Sequence, residues 1–300
     1  MRPVLRIPDR VRFGFRQYRL KGRKLRWQLL ASRNGSLVSE LQPGLKMRLY
    51  GDSELCHLIY CRHFEANERE FLNRFLRPGD VFVDVGANIG LFTLIAAERT
   101  GLQGKVLAFE PTAKTFGRLV ENVRLNKFTN VECLKLALSD SRGNLPLNQC
   151  SEGYDAWNSL AKPVSKGSLQ PELVEAVDWD QFAQERDLIG SVTMMKIDVE
   201  GWENRVLAGG KQFFSRSDAP VLQVEFTDEA AEAAGASCRA LYDCLQSYGY
   251  KMFLYDSGER RLVTESRREK YPYLNLLAAK DPEFVQRRLQ SAACPEIERK

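Results

Sequence analysis

The sequence predicts an α/β protein built on a doubly wound, mostly parallel seven-stranded sheet with an antiparallel edge strand. Three observations predict this fold. Short apolar runs alternate with segments of helical periodicity, the pattern of a parallel sheet covered by helices on both faces. The first run of this alternation ends in a glycine-rich turn that opens a helix. The last two apolar runs follow one another with no helix between them, as expected when a strand joins the sheet in antiparallel orientation.

The alternation starts after a helix predicted over 65–76, where apolar residues recur at helical spacing before Pro78-Gly79 ends it. The same periodicity predicts a helix over 112–126. Short apolar runs bounded by turn residues predict the strands. In chain order, the strands are expected at 81–85, 105–110, 131–138, 192–199, 221–226, 250–255 and 273–278, and the remaining helices over 89–98, about 202–214 and about 229–247.

Charge divides the chain into two unequal parts. The formal net charge is +5, yet residues 1–33 carry 11 basic side chains and one acidic one, so the remainder is −5. We therefore predict a basic N-terminal arm and a mildly acidic body. The predicted organisation is an arm over 1–33, a small subregion over 34–64 with strands at 45–50 and 55–60, a main domain over 65–280, and a C-terminal tail over 281–300.

Residues 141–191 interrupt the strand–helix rhythm. The segment is polar and rich in glycine and proline, and it also contains aromatic residues such as Trp157. A loop this long within a compact domain is typically functional. We expect a lid or a substrate-facing loop, in which residues 157–160 form either a substrate-side patch or a hydrophobic anchor that pins the loop.

The composition is that of an ordinary globular protein, with 44% hydrophobic and 28% charged residues. No apolar stretch approaches the ~20 residues that span a bilayer. The N-terminus also lacks the apolar core of a secretory signal. Seven cysteines without a Cys-x-x-Cys pair do not predict a disulfide framework, so we expect a cytoplasmic protein with reduced thiols. The spacing of His57, Cys61 and His63 departs from zinc-finger patterns, and no zinc site is expected.

The run from Val81 to Gly90 carries the strongest functional signal. A buried strand passes through Asp84, and two glycines four residues apart, Gly86 and Gly90, then open a helix. Glycine lacks a Cβ, so these positions admit unusual backbone angles and the close approach of a ligand or another backbone. The helix start offers unpaired N–H donors. Because ligands bind at the carboxyl edge of such sheets, a cofactor site is predicted here.

The turn does not fit a dinucleotide. Dinucleotide sites have the pattern Gly-x-Gly-x-x-Gly, whereas Asn88 stands at the second glycine position here. Asp84 would repel a pyrophosphate but suits the ammonium group of an amino acid. S-adenosylmethionine carries that ammonium and no phosphate, so it is the predicted cofactor. Glu110, at the end of the next strand, is placed to accept from the ribose hydroxyls, and Ser139-Asp140 to meet the adenine edge.

A second acidic group follows the fourth strand of the main domain. Asp198 and Glu200 lie two residues apart at the end of that strand, and Glu225 ends the next one. All three are therefore expected at the same sheet edge as the cofactor, and they are the predicted catalytic residues. Mutual repulsion and partial burial raise the pKa of one carboxyl, which suits a general base. The same oxygens also suit Mg²⁺, an alternative that the sequence leaves open without favouring it.

Three runs of sequence resemble the FkbM family of S-adenosylmethionine-dependent methyltransferases: Asp84 to Thr93, Phe109 to Pro111, and Lys196 to Glu203. The similarity extends over roughly 65–280. The resemblance implies a class I methyltransferase fold and O-methylation of a sugar or polyketide hydroxyl. Together with the argument from the residues, it yields a predicted cofactor-binding set of Asp84, Gly86, Ala87, Asn88, Gly90, Glu110, Pro111, Ser139 and Asp140.

The sequence leaves several classes of methyl acceptor open. The leading prediction is a hydroxyl of a sugar, a glycan or another small natural product. One alternative is an RNA or protein methyltransferase that uses the basic arm, but the acidic body and rim argue against nucleic acid. The other is a non-catalytic cofactor-binding scaffold whose arm contacts an anionic partner or a membrane surface. The sequence predicts no oligomeric state.

Overall fold

The computed structural model describes residues 22, 25–30, 32–33, 35–61, 64–150 and 169–291. Its strands are β1 (Ser36–Gln42), β2 (Leu45–Tyr50), β3 (Val81–Val85), β4 (Lys105–Phe109), β5 (Val131–Leu134), β6 (Ala137–Ser139), β7 (Gly143–Cys150), β8 (Leu169–Asp178), β9 (Met194–Ile197), β10 (Val221–Phe226), β11 (Lys251–Asp256), β12 (Arg261–Thr264) and β13 (Leu274–Ala279). Its helices are α1 (Glu54–Cys61), α2 (Ala66–Phe75), α3 (Leu91–Thr100), α4 (Ala113–Leu125), α5 (Trp179–Glu185), α6 (Glu203–Gly209), α7 (Lys211–Ser215), α8 (Asp228–Ala233), α9 (Cys238–Ser247) and α10 (Pro282–Gln290).

The main sheet has the strand order β12-β11-β13-β10-β9-β3-β4-β5. Strands β10, β9, β3, β4 and β5 are mutually parallel, and β13 runs antiparallel between β10 and β11. The predicted mostly parallel α/β fold is confirmed. Two details differ from the prediction. Strand β12 adds an eighth strand at the edge of the sheet, and the antiparallel strand β13 lies inside the sheet rather than at its edge. The continuous buried run at the end of β13 suits an interior strand covered on both faces.

Helices cover both faces of this sheet. Strand residues alternate between the two faces, so that Phe82 packs with α2, α3, α4 and α10, whereas Val83 packs with α5, α6, α7 and α9. We call the first of these the α2/α3 face. The hairpin β1–β2 joins the same core through Leu45, Met47 and Leu49, so residues 34–64 pack as part of the main body.

The N-terminal region differs from the sequence prediction in two places. Residues 55–60 were expected to form a strand but lie in helix α1, where the Ser53 hydroxyl accepts from the Cys56 N–H and caps the first turn. The end of the predicted arm also packs on the body. Residues 25–30 are helical, and Trp27 is 5% exposed and stacks on His57 with ring centroids 5.6 Å apart. Residues 1–21, 23–24 and 31 of the arm, and also His63, lie outside the described residues.

The prediction of a long loop over 141–191 is wrong for the part that the structure describes. Strands β7 and β8 form an antiparallel ladder, β6 pairs with β8, and α5 follows. Alternating buried residues such as Leu147, Val174 and Ala176 give this small sheet its core. Glycine and proline suggested a loop, yet Pro146 is tolerated because β7 is an edge strand. The candidate patch at 157–160 lies outside the described residues.

Several element boundaries also differ. The third predicted strand divides into β5 and β6, which belong to different sheets. The predicted helix near 202–214 breaks at Gly210 into α6 and α7, and the one near 229–247 breaks at Gly235 into α8 and α9. The predicted tail contains α10, whose Val285 and Leu289 are buried in the core. Within the described residues, none of the helices combines the length and apolar character that a bilayer crossing requires.

Candidate active site

The turn after β3 is held by backbone hydrogen bonds. The N–H groups of Gly86 and Ala87 both donate to the Phe109 carbonyl at the end of β4, at 3.1 and 2.9 Å. Asn88 and Gly90 have φ angles of 50° and 96°, in the left-handed region. Gly90 precedes the first residue of α3. The turn and the helix start therefore form at the carboxyl edge of the sheet, as the sequence predicts.

Gly86 is required by the protein's own backbone. Its φ is 82°, and a Cβ at this position would lie 1.8 Å from the Asp198 carbonyl oxygen. The Asp198 N–H in turn donates to the Val85 carbonyl. The close approach that glycine permits is thus the contact between the β3 turn and the β9 turn. This contact brings the two sequence motifs together.

Replacing Gly86 with alanine is expected to destabilise the fold by about 3 kcal/mol or more, because both the left-handed backbone and the clash with Asp198 oppose a Cβ. The matched control is Gly117→Ala in α4, where no atom lies within 4 Å of the added Cβ. That change is expected to stabilise the protein by about 0.5–1 kcal/mol. Urea unfolding of both variants measures the difference. Equal stability of the two would contradict this explanation of Gly86.

Glu110 links the glycine turn to the helix that follows β4. It is buried, and its carboxylate accepts from the Asn88 N–H at 3.0 Å and from the Thr112 N–H and hydroxyl at 3.0 and 2.6 Å. Pro111, between Glu110 and the start of α4, is half-buried. The position at the end of β4 is the one predicted from the sequence. Its role toward a ribose stays a prediction.

Ser139 and Asp140 lie at the end of β6, beside the turn after β9. The Ser139 hydroxyl accepts from the Trp202 indole N–H at 3.1 Å, and Asp140 forms an ion pair with Arg205. Burial is the largest single influence and raises the pKa of Asp140, but the hydrogen bonds from Arg205 and Ser139 and the charge of Arg205 together outweigh it and lower that pKa. The structure therefore joins the predicted adenine-side residues to the second motif. The contact between Trp202 and Ser139 was not predicted.

A row of polar side chains crosses the middle of the sheet on the α2/α3 face. The strand register places Asp84 of β3 level with Lys196 of β9, and Lys196 level with Gln223 of β10. All three are at most 3% exposed. The Oδ2 atom of Asp84 accepts from the Thr93 hydroxyl at 2.6 Å, whereas its Oδ1 atom is buried and has no hydrogen-bond partner in the part of the chain that the structure describes. Burial raises the pKa of Asp84, and Lys196 opposes that rise.

The next row toward the carboxyl edge is acidic. Carboxylate oxygens of Asp198, Glu200 and Glu225 all lie within 4.8 Å of one another, which confirms that the fold brings the three predicted catalytic side chains together. The Lys196 ammonium donates to Asp198 Oδ2 at 2.5 Å. Among the described residues, these three acids are the one group found with the side chains and spacing that can hold a metal ion.

The pKa values follow from this crowding. Burial, and then repulsion from Asp198, raise the pKa of Glu200 and of Glu225 well above the ordinary value of a glutamate. Burial alone would lower the pKa of Lys196, but Asp198, Glu65 and Asp84 together raise it. The site therefore contains a buried ammonium and a larger number of carboxyl groups, an arrangement that favours an additional cation.

Two further acids belong to this cluster and were missed by the sequence analysis as site residues. Glu65 precedes α2, has a φ of 43°, and its Oε1 accepts from the Tyr273 hydroxyl and the Asn275 amide at 2.9 and 3.0 Å. Glu203 accepts from the backbone N–H groups of Val199 and Gly201. Burial is the main cause that raises the pKa of both carboxyls to about 7.

The stability of the free protein is expected to fall as the pH rises from about 5 to about 7. Glu65 and Glu203 have folded-state pKa values near 7 against about 4.5 for an unfolded glutamate, so between these two values the folded state binds more protons than the unfolded state. Raising the pH through this interval therefore favours the unfolded state, and the effect levels off above pH 7. Urea unfolding at a series of pH values measures this slope. A free energy of unfolding that is constant or increasing over this interval would contradict the assigned burial.

Comparison with known proteins identifies the family. Residues 84–252, more than half of the chain, match the family profile described as "Methyltransferase FkbM domain". The chain belongs to the FkbM methyltransferase family. The match begins at Asp84, within β3, and continues into β11. It therefore includes all three runs of sequence from which the resemblance was inferred.

Three curated methyltransferases illustrate the similarity. Methyltransferase sdnD of Sordaria araneosa is 33% identical over 44% of this chain and 61% of its own length. Hexuronic acid methyltransferase AglP of Haloferax volcanii is 32% identical over 43% of this chain and 49% of its own. The 31-O-demethyl-FK506 methyltransferase FkbM of Streptomyces tacrolimicus is 32% identical over 59% and 73%. The first two alignments thus span only about half to three-fifths of the relatives.

Proposed function

We propose that this FkbM-family protein transfers a methyl group from S-adenosylmethionine to a hydroxyl group of a small-molecule or glycan acceptor. The observation that carries the proposal is the buried acidic edge of the sheet. Among the described residues, the Oδ1 atom of Asp84 has no hydrogen-bond partner there, and several carboxyl groups surround the single ammonium group of Lys196. Such an edge suits a cationic cofactor without phosphate groups.

The residues present fit S-adenosylmethionine. Asp84 would accept from the ammonium of its methionine portion, since a buried carboxylate oxygen without a donor is a strong site for a charge-assisted hydrogen bond. Glu110 would face the ribose hydroxyls, and Ser139 and Asp140 would lie at the adenine end. When bound, the cofactor supplies an electrophilic methyl group on a sulfonium.

Glu200 is the carboxylate we assign as general base. Asp198 is bound to the Lys196 ammonium, and Glu225 is only 6% exposed. Glu200 is half-buried at the start of the turn after β9, with a φ of 52° that turns the chain at the sheet edge. Its raised pKa makes it a better proton acceptor than an ordinary glutamate. Glu200 would take the proton of the acceptor hydroxyl, so that the hydroxyl oxygen could act as the nucleophile toward the methyl group that the cofactor supplies.

Lys196 argues against a divalent metal ion at the three carboxylates. Its ammonium already neutralises Asp198, one of the three carboxylates that such a metal would use. We therefore propose a metal-independent reaction in which the Lys196 ammonium holds the Asp198 side chain in place. Turnover that is unchanged by a chelator is the expected result, and turnover abolished by the chelator and restored by Mg²⁺ would favour the metal.

We infer the class of methyl acceptor from the family to which the chain belongs. One relative is named as a hexuronic acid methyltransferase and another as a 31-O-demethyl-FK506 methyltransferase, so both sugars and polyketides occur among the acceptors named for relatives. An RNA or protein substrate docked by the basic arm, or a non-catalytic scaffold, remains the competing hypothesis. A screen of glycan, polyketide, RNA and protein acceptors with isotopically labelled cofactor, read by mass, separates them. Label on a small-molecule or glycan hydroxyl is expected, and label on RNA or protein alone would contradict the proposal.

A further inference from the structure

Gln223 has a buried polar side chain, and the methyl transfer proposed above assigns no role to it. It lies in β10 on the α2/α3 face, level with Lys196 of β9 and Leu277 of β13. The residue is 1% exposed, and among the described residues neither its Oε1 nor its Nε2 atom has a hydrogen-bond partner. Leaving both groups of a buried amide unbonded is costly, and native proteins contain few such groups. This amide is therefore suited to hydrogen bonds with a ligand.

A cavity of about 190 Å³ lies beside Gln223, between helix α2 and strands β10, β11 and β13. A single water needs only ~10–15 Å³, so the cavity admits a molecule of several heavy atoms. Phe71 and Tyr255 contribute aromatic surface to its wall, and Asn275 contributes an amide. Tyr273, which also lines the cavity, is 53% exposed and marks its solvent side.

The cavity adjoins the acidic edge. Gln223 and Glu225 are two residues apart on one strand and face the same side of the sheet, which places their Cα atoms ~6.6 Å apart. Asn275 lines the cavity and is the cross-strand neighbour of Glu225. A ligand in the cavity can therefore extend toward the three carboxylates. A sugar ring spans such a distance and would present one hydroxyl at each end.

The residues that line the cavity determine which class of ligand it favours. Its aromatic residues and amides match the apolar faces and the hydroxyl groups of a sugar. Glu68 is the one charged residue among the described residues that line the cavity, and neither a lysine nor an arginine is among them. An anionic ligand would meet repulsion without a compensating cation. The cavity therefore favours a neutral ring over a uronic acid or a phosphorylated sugar.

We propose that this cavity binds a neutral sugar ring of the methyl acceptor and that Gln223 forms hydrogen bonds with a ring hydroxyl. Gln223 is then a specificity-determining residue, adjacent to the carboxylates but outside the methyl-transfer chemistry. The inference rests on the proposed function and narrows its acceptor class.

The test uses the full chain and two probes, methyl β-D-glucopyranoside and methyl β-D-glucuronide, observed by saturation-transfer NMR. Gln223→Met conserves side-chain volume and removes both hydrogen-bonding groups. We expect the glucopyranoside to bind the wild-type protein more tightly than the glucuronide does, and Gln223→Met to weaken its binding about tenfold. Thermal stability and affinity for S-adenosylmethionine should be unchanged. The control Gln246→Met makes the same change at an exposed position of α9, away from the cavity, and should retain glucopyranoside binding.

The inference is overturned if the glucopyranoside does not bind, if Gln223→Met binds it as well as the wild-type protein does, or if the glucuronide binds more tightly. Failure of the proposed function would have a different signature. In that case S-adenosylmethionine would not bind, while the Gln223-dependent binding of the glucopyranoside would persist. Should Gln223→Met fail to fold, Gln223→Leu measured with the same probes provides the comparison.

Discussion

Asp84→Asn is expected to weaken the binding of S-adenosylmethionine by about a hundredfold or more. The substitution keeps the shape of the side chain and its contact with the Thr93 hydroxyl, but it replaces a buried acceptor oxygen that has no donor. A charge-assisted hydrogen bond to the ammonium of the cofactor would be lost, and an amide N–H would face that ammonium instead. Isothermal titration calorimetry of the wild-type protein and the variant measures the change.

Asp80→Asn is the matched control for this prediction. Asp80 is also buried and immediately precedes β3, at the opposite end of the strand from the glycine turn, where it pairs with Arg288. Its replacement should reduce thermal stability and leave the affinity for the cofactor unchanged. In Asp84→Asn, Lys196 keeps its partner Asp198, so the fold should persist. An Asp84→Asn protein that is folded and binds the cofactor normally would refute the role assigned to this carboxylate.

Glu200→Gln is expected to lower kcat by about 10²–10⁴, the usual contribution of a general base, with little change in cofactor affinity. The glutamine side chain has nearly the same size but cannot accept the proton of the acceptor hydroxyl. Burial and the neighbouring Asp198 raise the pKa of Glu200, so wild-type turnover should decline on the acidic side of that pKa. Single-turnover measurements across pH should show that limb in the wild-type protein and its absence in the variant.

Glu229→Gln is the control for Glu200→Gln. Glu229 lies in the first turn of α8 and belongs to none of the carboxyl contacts described above. Its replacement should leave both kcat and the pH profile unchanged. Full activity of Glu200→Gln would assign the base to another carboxyl, first of all Glu225, whose Oε2 atom is buried without a partner.

The two motifs were predictable because each consists of consecutive residues. The run around Asp84 and Gly86 and the run around Asp198 and Glu200 each end a strand, and parallel strands bring such ends to one edge. Lys196 and Gln223 were also open to prediction. Each is a polar residue within a fully buried strand whose other residues, apart from Glu225, are apolar.

Other features depend on contacts between distant parts of the chain. Glu65 joins the site through Tyr273 and Asn275, more than two hundred residues away, and its positive φ has no signature in the sequence. The burial of Trp27 depends on α1, which was itself predicted as a strand. The hairpin β7–β8 was hidden because proline and glycine were taken as loop signals, although an edge strand tolerates them.

The central claim is that the acidic edge of the sheet binds a cationic cofactor that lacks phosphate groups. The most direct test is a calorimetric titration of the wild-type chain with S-adenosylmethionine and, in parallel, with NAD⁺. Saturable binding of one S-adenosylmethionine per chain and no binding of NAD⁺ are predicted, because Asp84 suits an ammonium group and repels a pyrophosphate. Binding of NAD⁺, or no binding of S-adenosylmethionine by the folded protein, would contradict the account.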